Sequence, residues 1–371
     1  MSISAKGVTQ SMGFSELACK TGIDMRKAKV VKTLSPLLAS LMFVISITGC
    51  GDGRRSTPPS SSANTITVID MADREVEIPA NVERVALSWG VITSYIVALG
   101  KADKLAAVGY LSDFFKMVHP AFKSVGTVGR GQVDIEAVAQ LNPDLFLHRA
   151  GDITALNAVQ SLGIPAIGVM AETQEDITAM LFLLGKALGA EKRAGELIDY
   201  YGRMLEKTRD LSRDIPVDKR KSAIVMGSRL GSVANGAMLQ SFMIETAGGI
   251  NCAKDVTSTE IWPVVGTETI FGWNPDFIFI TNNSSSGYNV ESLTTDPAWV
   301  NLAAVKERRV FLVPSDMDSW EFPGVSSALG ALWMLSKMYP DKFSDGQIDA
   351  QAKEFYKMVY DLDVTSELLG Y

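Results

Sequence analysis

The side chains best placed to do chemistry in this chain follow short apolar runs. Ser88 and Trp89 follow ERVAL, Tyr110 ends KLAAVGY, Arg130 sits in GTVGRGQ, and His148 and Arg149 end PDLFLHR. Further along stand Arg229 in GSRLG, Trp262 in EIWP, Asn282 after FIFIT, and Asp316, Asp318 and Trp320 in PSDMDSW. A guanidinium presents several fixed donors to carboxylate-like oxygens, and indole or phenol rings offer broad apolar surface. Trp89, Tyr110, Arg130, Arg149, Arg229, Trp262 and Trp320 together suit the holding of an oxygen-bearing anion, and they are the candidate ligand-binding residues. Covalent chemistry has less support. The chain contains no H-E-x-x-H, no paired CxxC, no Walker phosphate loop, and no Ser, His and acid set in a recognisable setting. Its only histidines are His119 and His148, too few for a bare transition-metal site. No catalytic residue, metal ligand or intrinsic cofactor is assigned, and an enzyme is not expected.

The elements that must position these residues alternate. TITVIDMADREVEIP reads as a hairpin ending at Pro79, and ERVALSWG followed by VITSYIVALG reads as strand, Gly turn and helix. The same order recurs through KLAAVGY, VDIEAVAQLN, PDLFLHRAGD, TALNAVQSLG and IPAIGVM, then restarts at KSAIVMGSRLG and runs to VFLVPSDMDSW. Such alternation predicts α/β architecture with mainly parallel sheets covered on both faces. Ligands of such sheets lie beyond the carboxyl ends of the strands, where the residues named above fall.

Between the two series, residues 190–213 carry Ala194, Leu197, Ile198, Tyr201, Leu205 and Leu211 at helical spacing, with charges elsewhere. At 1.5 Å per residue that helix is about 36 Å long, a rod able to join two lobes. The sequence E-x5-N-P-D, followed by apolar residues, occurs once on each side, from Glu136 and from Glu268. The expected fold is therefore two similar lobes joined by a single long backbone helix, the lobes being residues 66–189 and 214–371. A glutamate in the first turn of a helix is favoured by the helix dipole, by about 0.3 to 1 kcal/mol, and by itself needs no partner.

The front of the chain has a different composition. Met25-Arg26-Lys27, further lysines, the run LLASLMFVISI and then Thr48-Gly49-Cys50 read as a secretory signal, with Met25 as a possible true start. The small pair before Cys50 resembles the lipobox of bacterial lipoproteins, implying cleavage there and lipidation of Cys50. Residues 51–65, rich in Gly, Ser and Pro, read as a flexible tether. Cys252, in GGINCAKD, is expected to be a small buried apolar residue. The formal charge is −7, and six Lys/Arg against two Asp/Glu before residue 51 leave the rest more acidic still. A nucleic-acid partner is not expected.

Taken in order, DMADREVEIPANVERVA, IEAVAQLNPDLFL, LGIPAIGV, ETIFGWNPDFIFI and WEFPGVSSALGALWMLSKMYPDKF resemble the periplasmic substrate-binding lipoproteins of ABC importers for iron-siderophores, haem and cobalamin. The similarity covers about residues 66–343. It implies capture of a metal chelate in the interlobe cleft, a ferric siderophore before cobalamin or another corrinoid, and haem third. It implies delivery to an ABC permease dimer with its ATPase, by a monomer held to the membrane through its lipid anchor, in the periplasm or at the outer face of the cytoplasmic membrane. By the same resemblance Glu136 and Glu268 dock into arginine pockets of the permease. Hinge motion should be small, because one continuous helix resists large rotation. A sensory or scaffold lipoprotein on the same fold is the alternative outside transport.

Overall fold

The structure, a computed structural model, describes residues 64–109, 113–281 and 287–369. The expected signal segment with Cys50, most of the tether, Tyr110 and Asn282 lie outside the described residues.

The antiparallel hairpin β1 (Thr65–Ile69) and β2 (Glu75–Pro79) opens the fold. Its turn is fixed by Asp70, whose carboxylate accepts the N–H groups of Ala72, Arg74 and Gly168 and pairs with the Arg74 guanidinium. Burial opposes that charge, but the Arg74 side chain and the N–H donors prevail and hold the Asp70 carboxyl below its ordinary range. The bond to Gly168 staples the hairpin to the first lobe. That lobe continues as β3 (Val85–Leu87), α1 (Val91–Ala98), β4 (Leu105–Ala107), α2 (Asp113–Val118), α3 (Ile135–Leu141), β5 (Leu145–Arg149), α4 (Ile153–Gln160), β6 (Ala166–Val169) and α5 (Gln174–Ala187).

Helix α6 (Glu191–Ser212) is the rod, with 22 residues. Its buried stripe includes Ala194, Leu197, Tyr201 and Leu205, and adds Tyr200, Met204 and Thr208. Ile198 and Leu211 are only partly buried against the same core. The second lobe runs β7 (Ser222–Met226), α7 (Leu239–Thr246), β8 (Ile250–Asn251), α8 (Thr267–Trp273), β9 (Phe277–Ile280), α9 (Val290–Thr295), α10 (Ala303–Lys306), β10 (Val310–Leu312), α11 (Ser326–Met338), α12 (Asp345–Tyr360) and α13 (Ser366–Leu369).

The two four-stranded parallel sheets have orders β4-β3-β5-β6 and β10-β9-β7-β8. Read from the first strand of each lobe, these are one topology: the second strand lies on one side of the first, the third and fourth on the other. The E-x5-N-P-D repeat serves this topology. In both lobes it spans a seven-residue helix, α3 or α8, closed by a left-handed Asn, Asn142 (φ 45°) or Asn274 (φ 43°). Asparagine tolerates that conformation where most side chains do not. The repeat's aspartate then clamps the entry of the neighbouring first strand. Asp144 accepts the N–H groups of Glu83 and Arg84, both at 2.8 Å, and Asp276 accepts the Ser222 N–H at 2.9 Å and its hydroxyl at 3.0 Å.

One apolar cluster runs from the hairpin through α1, α5 and α6 into α7, α11 and α12, so both lobes and the rod share a core. Two smaller clusters cover the outer sheet faces of the individual lobes. A shared core adds to the helix in resisting hinge motion, because rotating the lobes would expose packed apolar area. Cys252 departs from expectation: it is half-buried at the edge of the second lobe's outer cluster.

Candidate functional site

At the carboxyl ends of β3 and β5 the strand order reverses, and the crevice there opens toward the loop between β10 and α11. The resulting interlobe cavity is about 420 Å³. Ser88, Trp89, Ser94, Phe115, Arg130 and Arg149 line it from the first lobe, and Ser315, Met317, Asp318, Ser319, Phe322 and Ser326 from the second.

Of the residues singled out by sequence, Trp89, Arg130 and Arg149 converge here. The Arg149 guanidinium stacks over the Trp89 indole, 5.1 Å from the ring centroid, a contact favourable by about 0.5 to 2 kcal/mol. Arg130 lies between Gly129 (φ 101°) and Gly131 (φ 77°), whose positive φ values suit only glycine well and bend its loop over the strand ends. Gly109 is required on other grounds. A β-carbon there would sit 2.0 Å from the carbonyl oxygen of Ser88.

Two helices begin at this cavity without a side-chain cap: α1, entered through Gly90, and α11, entered through Gly324 and Val325. The second and third N–H groups of each helix, on Ile92, Thr93, Ser327 and Ala328, donate to nearby carbonyls, so what the two starts offer an anion is chiefly the positive end of the helix dipole. The cavity therefore offers two guanidinium groups, two helix N-termini, several hydroxyls and an aromatic wall.

The structure places the other described candidate ligand residues away from the cavity. Trp320 is 1% exposed and its indole N–H donates to the Tyr356 hydroxyl at 2.9 Å, so it belongs to the core and presents no ligand surface. Arg229 pairs with Glu260 at 2.8 Å on the exposed rim, and Trp262 lies half-buried over Gly227. Neither lines the cavity. Glu136 and Glu268 are exposed in the first turns of α3 and α8.

The sequence reading missed a buried acid beneath the cavity. Glu321 is fully buried, and burial pushes its carboxyl up to about 7 while the Ser319 hydroxyl, 2.5 Å away, offsets part of the effect. Its other oxygen has no donor among the described residues. A carboxylate between the large apolar residues of W-E-F-P was the available signal. Asp318, at the wall, is pushed up to about 6 by burial, against the pull of hydroxyls on Tyr360 and Ser326 and the Ser319 N–H.

A Ser, His and acid set does form, contrary to the sequence reading. Ser88 Oγ lies 2.5 Å from His148 Nδ1, and His148 Nε2 lies 3.1 Å from Asp152 Oδ2. Asp152 also caps α4 by accepting the Ala155 N–H; that bond and His148 hold its carboxyl below the ordinary range. Ser88 and His148 are each 1% exposed, which gives the set a structural role beneath the strand ends. Among the described residues no group of three or more His, Cys, Asp or Glu side chains is arranged to hold a metal ion.

Comparison with known proteins agrees with this architecture. A family model described as periplasmic binding protein matches residues 85–317, more than half of the chain. The chain is 23% identical over 323 residues to the molybdate-binding protein MolA of Haemophilus influenzae, covering 79% of this chain and 90% of that protein. It is 26% identical over 230 residues to the Fe(3+)-citrate-binding protein YfmC of Bacillus subtilis, covering 59% and 68%. A solved periplasmic solute binding protein from Veillonella parvula superimposes with a TM-score of 0.71 at 26% identity, covering 82% of this chain and 95% of that one. None of the described helices is long and apolar enough to cross a membrane. The chain belongs to the periplasmic binding protein family, whose members act as substrate-binding components of ABC importers and are binding proteins rather than enzymes.

Proposed function

We propose that this periplasmic binding protein captures an anionic ferric chelate of the siderophore or citrate type in its interlobe cavity and hands it to an ABC permease dimer driven by its ATPase. The observation that carries the reading is the convergence of Arg130, Arg149 and the uncapped starts of α1 and α11 on one cavity walled by Trp89. Guanidinium donors suit carboxylate, hydroxamate or catecholate oxygens, and the indole suits the organic face of a chelator. At about 420 Å³ the cavity lies toward the small end of the roughly 300–1,000 Å³ common for ligand sites, which favours a compact chelate over cobalamin or haem. A second reading, a bare oxyanion of the molybdate kind, draws on the helix starts and on the serines at the wall. In this reading of the chain, Cys50 carries the lipid anchor, and Glu136 and Glu268 dock one lobe each onto the permease.

The test is a calorimetric titration of the folded, exported form with ferric citrate, a ferric hydroxamate, a ferric catecholate, molybdate, cobalamin and haem, with iron-free chelators as controls. Saturable binding of one ferric chelate supports the proposal. Binding of molybdate alone transfers it to the second reading, and exclusive binding of cobalamin or haem overturns both. Docking is tested separately: Glu136→Ala and Glu268→Ala should each impair uptake while changing ligand affinity less than about twofold. Weaker ligand binding by either folded variant would remove the docking assignment.

A further inference from the structure

The first-lobe ligand residues share a feature that neither their spacing nor their type reveals. Each is the chain neighbour of a residue bonded to, or identical with, Ser88. The Ser88 carbonyl accepts the Gly131 N–H at 3.1 Å, next to Arg130. The Ser88 hydroxyl meets His148 Nδ1 at 2.5 Å, next to Arg149. Ser88 itself precedes Trp89. The hub is sealed: Ser88 and His148 are 1% exposed, Phe146 stacks on the imidazole at 6.1 Å, and Gly109 leaves no room above the Ser88 carbonyl.

The protonation pattern follows from the partners. Asp152, held ionised by the Ala155 N–H and His148, can only accept, so imidazole Nε2 carries the proton. In neutral His148, Nδ1 is then the acceptor for the Ser88 hydroxyl. We propose that Ser88, His148 and Asp152 form a positioning relay that locks the side chains at the ends of β3 and β5, whose spacing the backbone ladder already sets, and with them orients the Trp89–Arg149 stack and the Arg130 loop that receive the ligand. His148 and Asp152 do not line the cavity, whereas Ser88 does, so Trp89 emission in the ligand-free protein, rather than affinity alone, separates positioning by Ser88 from direct contact. The proposal rests on the cavity being the ligand site, and its test separates the two ideas.

Wild type, Ser88→Ala, His148→Asn and His148→Gln are each titrated with ferric citrate and with molybdate. Each is also made with Trp89→Phe, so that the difference in emission isolates Trp89. An asparagine amide occupies the place of Nδ1 and keeps a partner for Ser88, whereas a glutamine amide occupies the place of Nε2 and keeps only Asp152. Ser88→Ala and His148→Gln should weaken binding roughly tenfold and shift Trp89 emission, with His148→Asn affected several-fold less. Unchanged affinity and emission in Ser88→Ala, or His148→Gln binding as tightly as His148→Asn, overturns the relay. If wild type binds neither probe, the ligand reading loses support while Trp89 emission in the ligand-free variants still decides the relay: a shift supports it and no shift overturns it. A measurement on wild type covers variants that fail to fold. With only two histidines in the chain, nitrogen-15 spectra of the imidazoles are easily assigned, and a proton on Nδ1 of neutral His148 overturns the proposal.

Discussion

The two lobes are built on one plan and finished differently. Both use the same strand order, the same left-handed asparagine after a seven-residue helix, and the same aspartate clamp on the first strand. They part at the strand ends. Where the first lobe has Ser88 followed by Trp89, the second has Gly227, whose carbonyl accepts the Tyr288 hydroxyl and over which Trp262 is packed. The first lobe brings Arg130 and Arg149 to the cavity; the second brings Asp318 to the wall and Glu321 beneath it. Framework and recognition are thus separable. Residues that build the sheets obey the repeat, and residues that line the cavity escape it.

The largest expected effect tests this contrast of sign. Glu321 has a carboxyl raised from 4.5 to about 7, so the folded state holds its proton more tightly than the unfolded state. Its contribution is therefore fully present below about pH 4.5, falls as pH rises toward 7, and stays low above it. Glu321→Gln should raise unfolding stability at pH 8 by on the order of 3 kcal/mol and change it little at pH 4, as measured by denaturant unfolding at both pH values. Equal effects at the two pH values would mean that the buried acid is not the source.

The arginines sharpen the comparison next. Arg149→Ala should weaken ligand binding by roughly a hundredfold, as expected for losing a charge-assisted contact, whereas Arg229→Ala, paired with Glu260 on the rim, should stay within about twofold. Calorimetry on the pair decides, and comparable losses would extend the site to the Arg229 loop, which does not line the cavity. The glycines come third. Gly109→Ala drives a β-carbon into backbone and should destabilise by about 2 kcal/mol or more; Gly227→Ala meets the Trp262 ring, a side chain that can shift, and should lose less. The smallest effect is also the most symmetric: Asp144→Ala and Asp276→Ala should each destabilise by about 1 to 2 kcal/mol, and a large difference between them would break the idea of a common framework.

Much of that framework was legible because it is local. The periodicity of residues 190–213 announced α6 to within a residue at each end, since a helix must bury one stripe and expose the other. The hairpin ended at Pro79 as read, and the paired E-x5-N-P-D sequences marked two helices whose Asn caps and Asp clamps turned out to be alike. The short helix α2 left no such signal: DFFKMV has too few residues to display a period.

The site was legible only in part. Sequence placed Trp89, Arg130 and Arg149 at strand ends but gave Trp320 the same standing, because an indole looks alike in a core and at a wall. Only the packing of α12, with Tyr356 meeting the Trp320 indole, assigned it to the core. Ser88 and His148 lie 60 residues apart, and no local rule joins them. What the sequence by itself determined is the set of elements, their order and their buried faces, because each follows from the period of apolar residues and the turn chemistry between them. Which strand-end side chains share a cavity, which acid is buried near it, and that one serine bonds to the chain neighbours of Arg130 and Arg149 were decided by tertiary structure. These depend on strand register and on contacts between residues far apart in the chain, which local propensity does not encode.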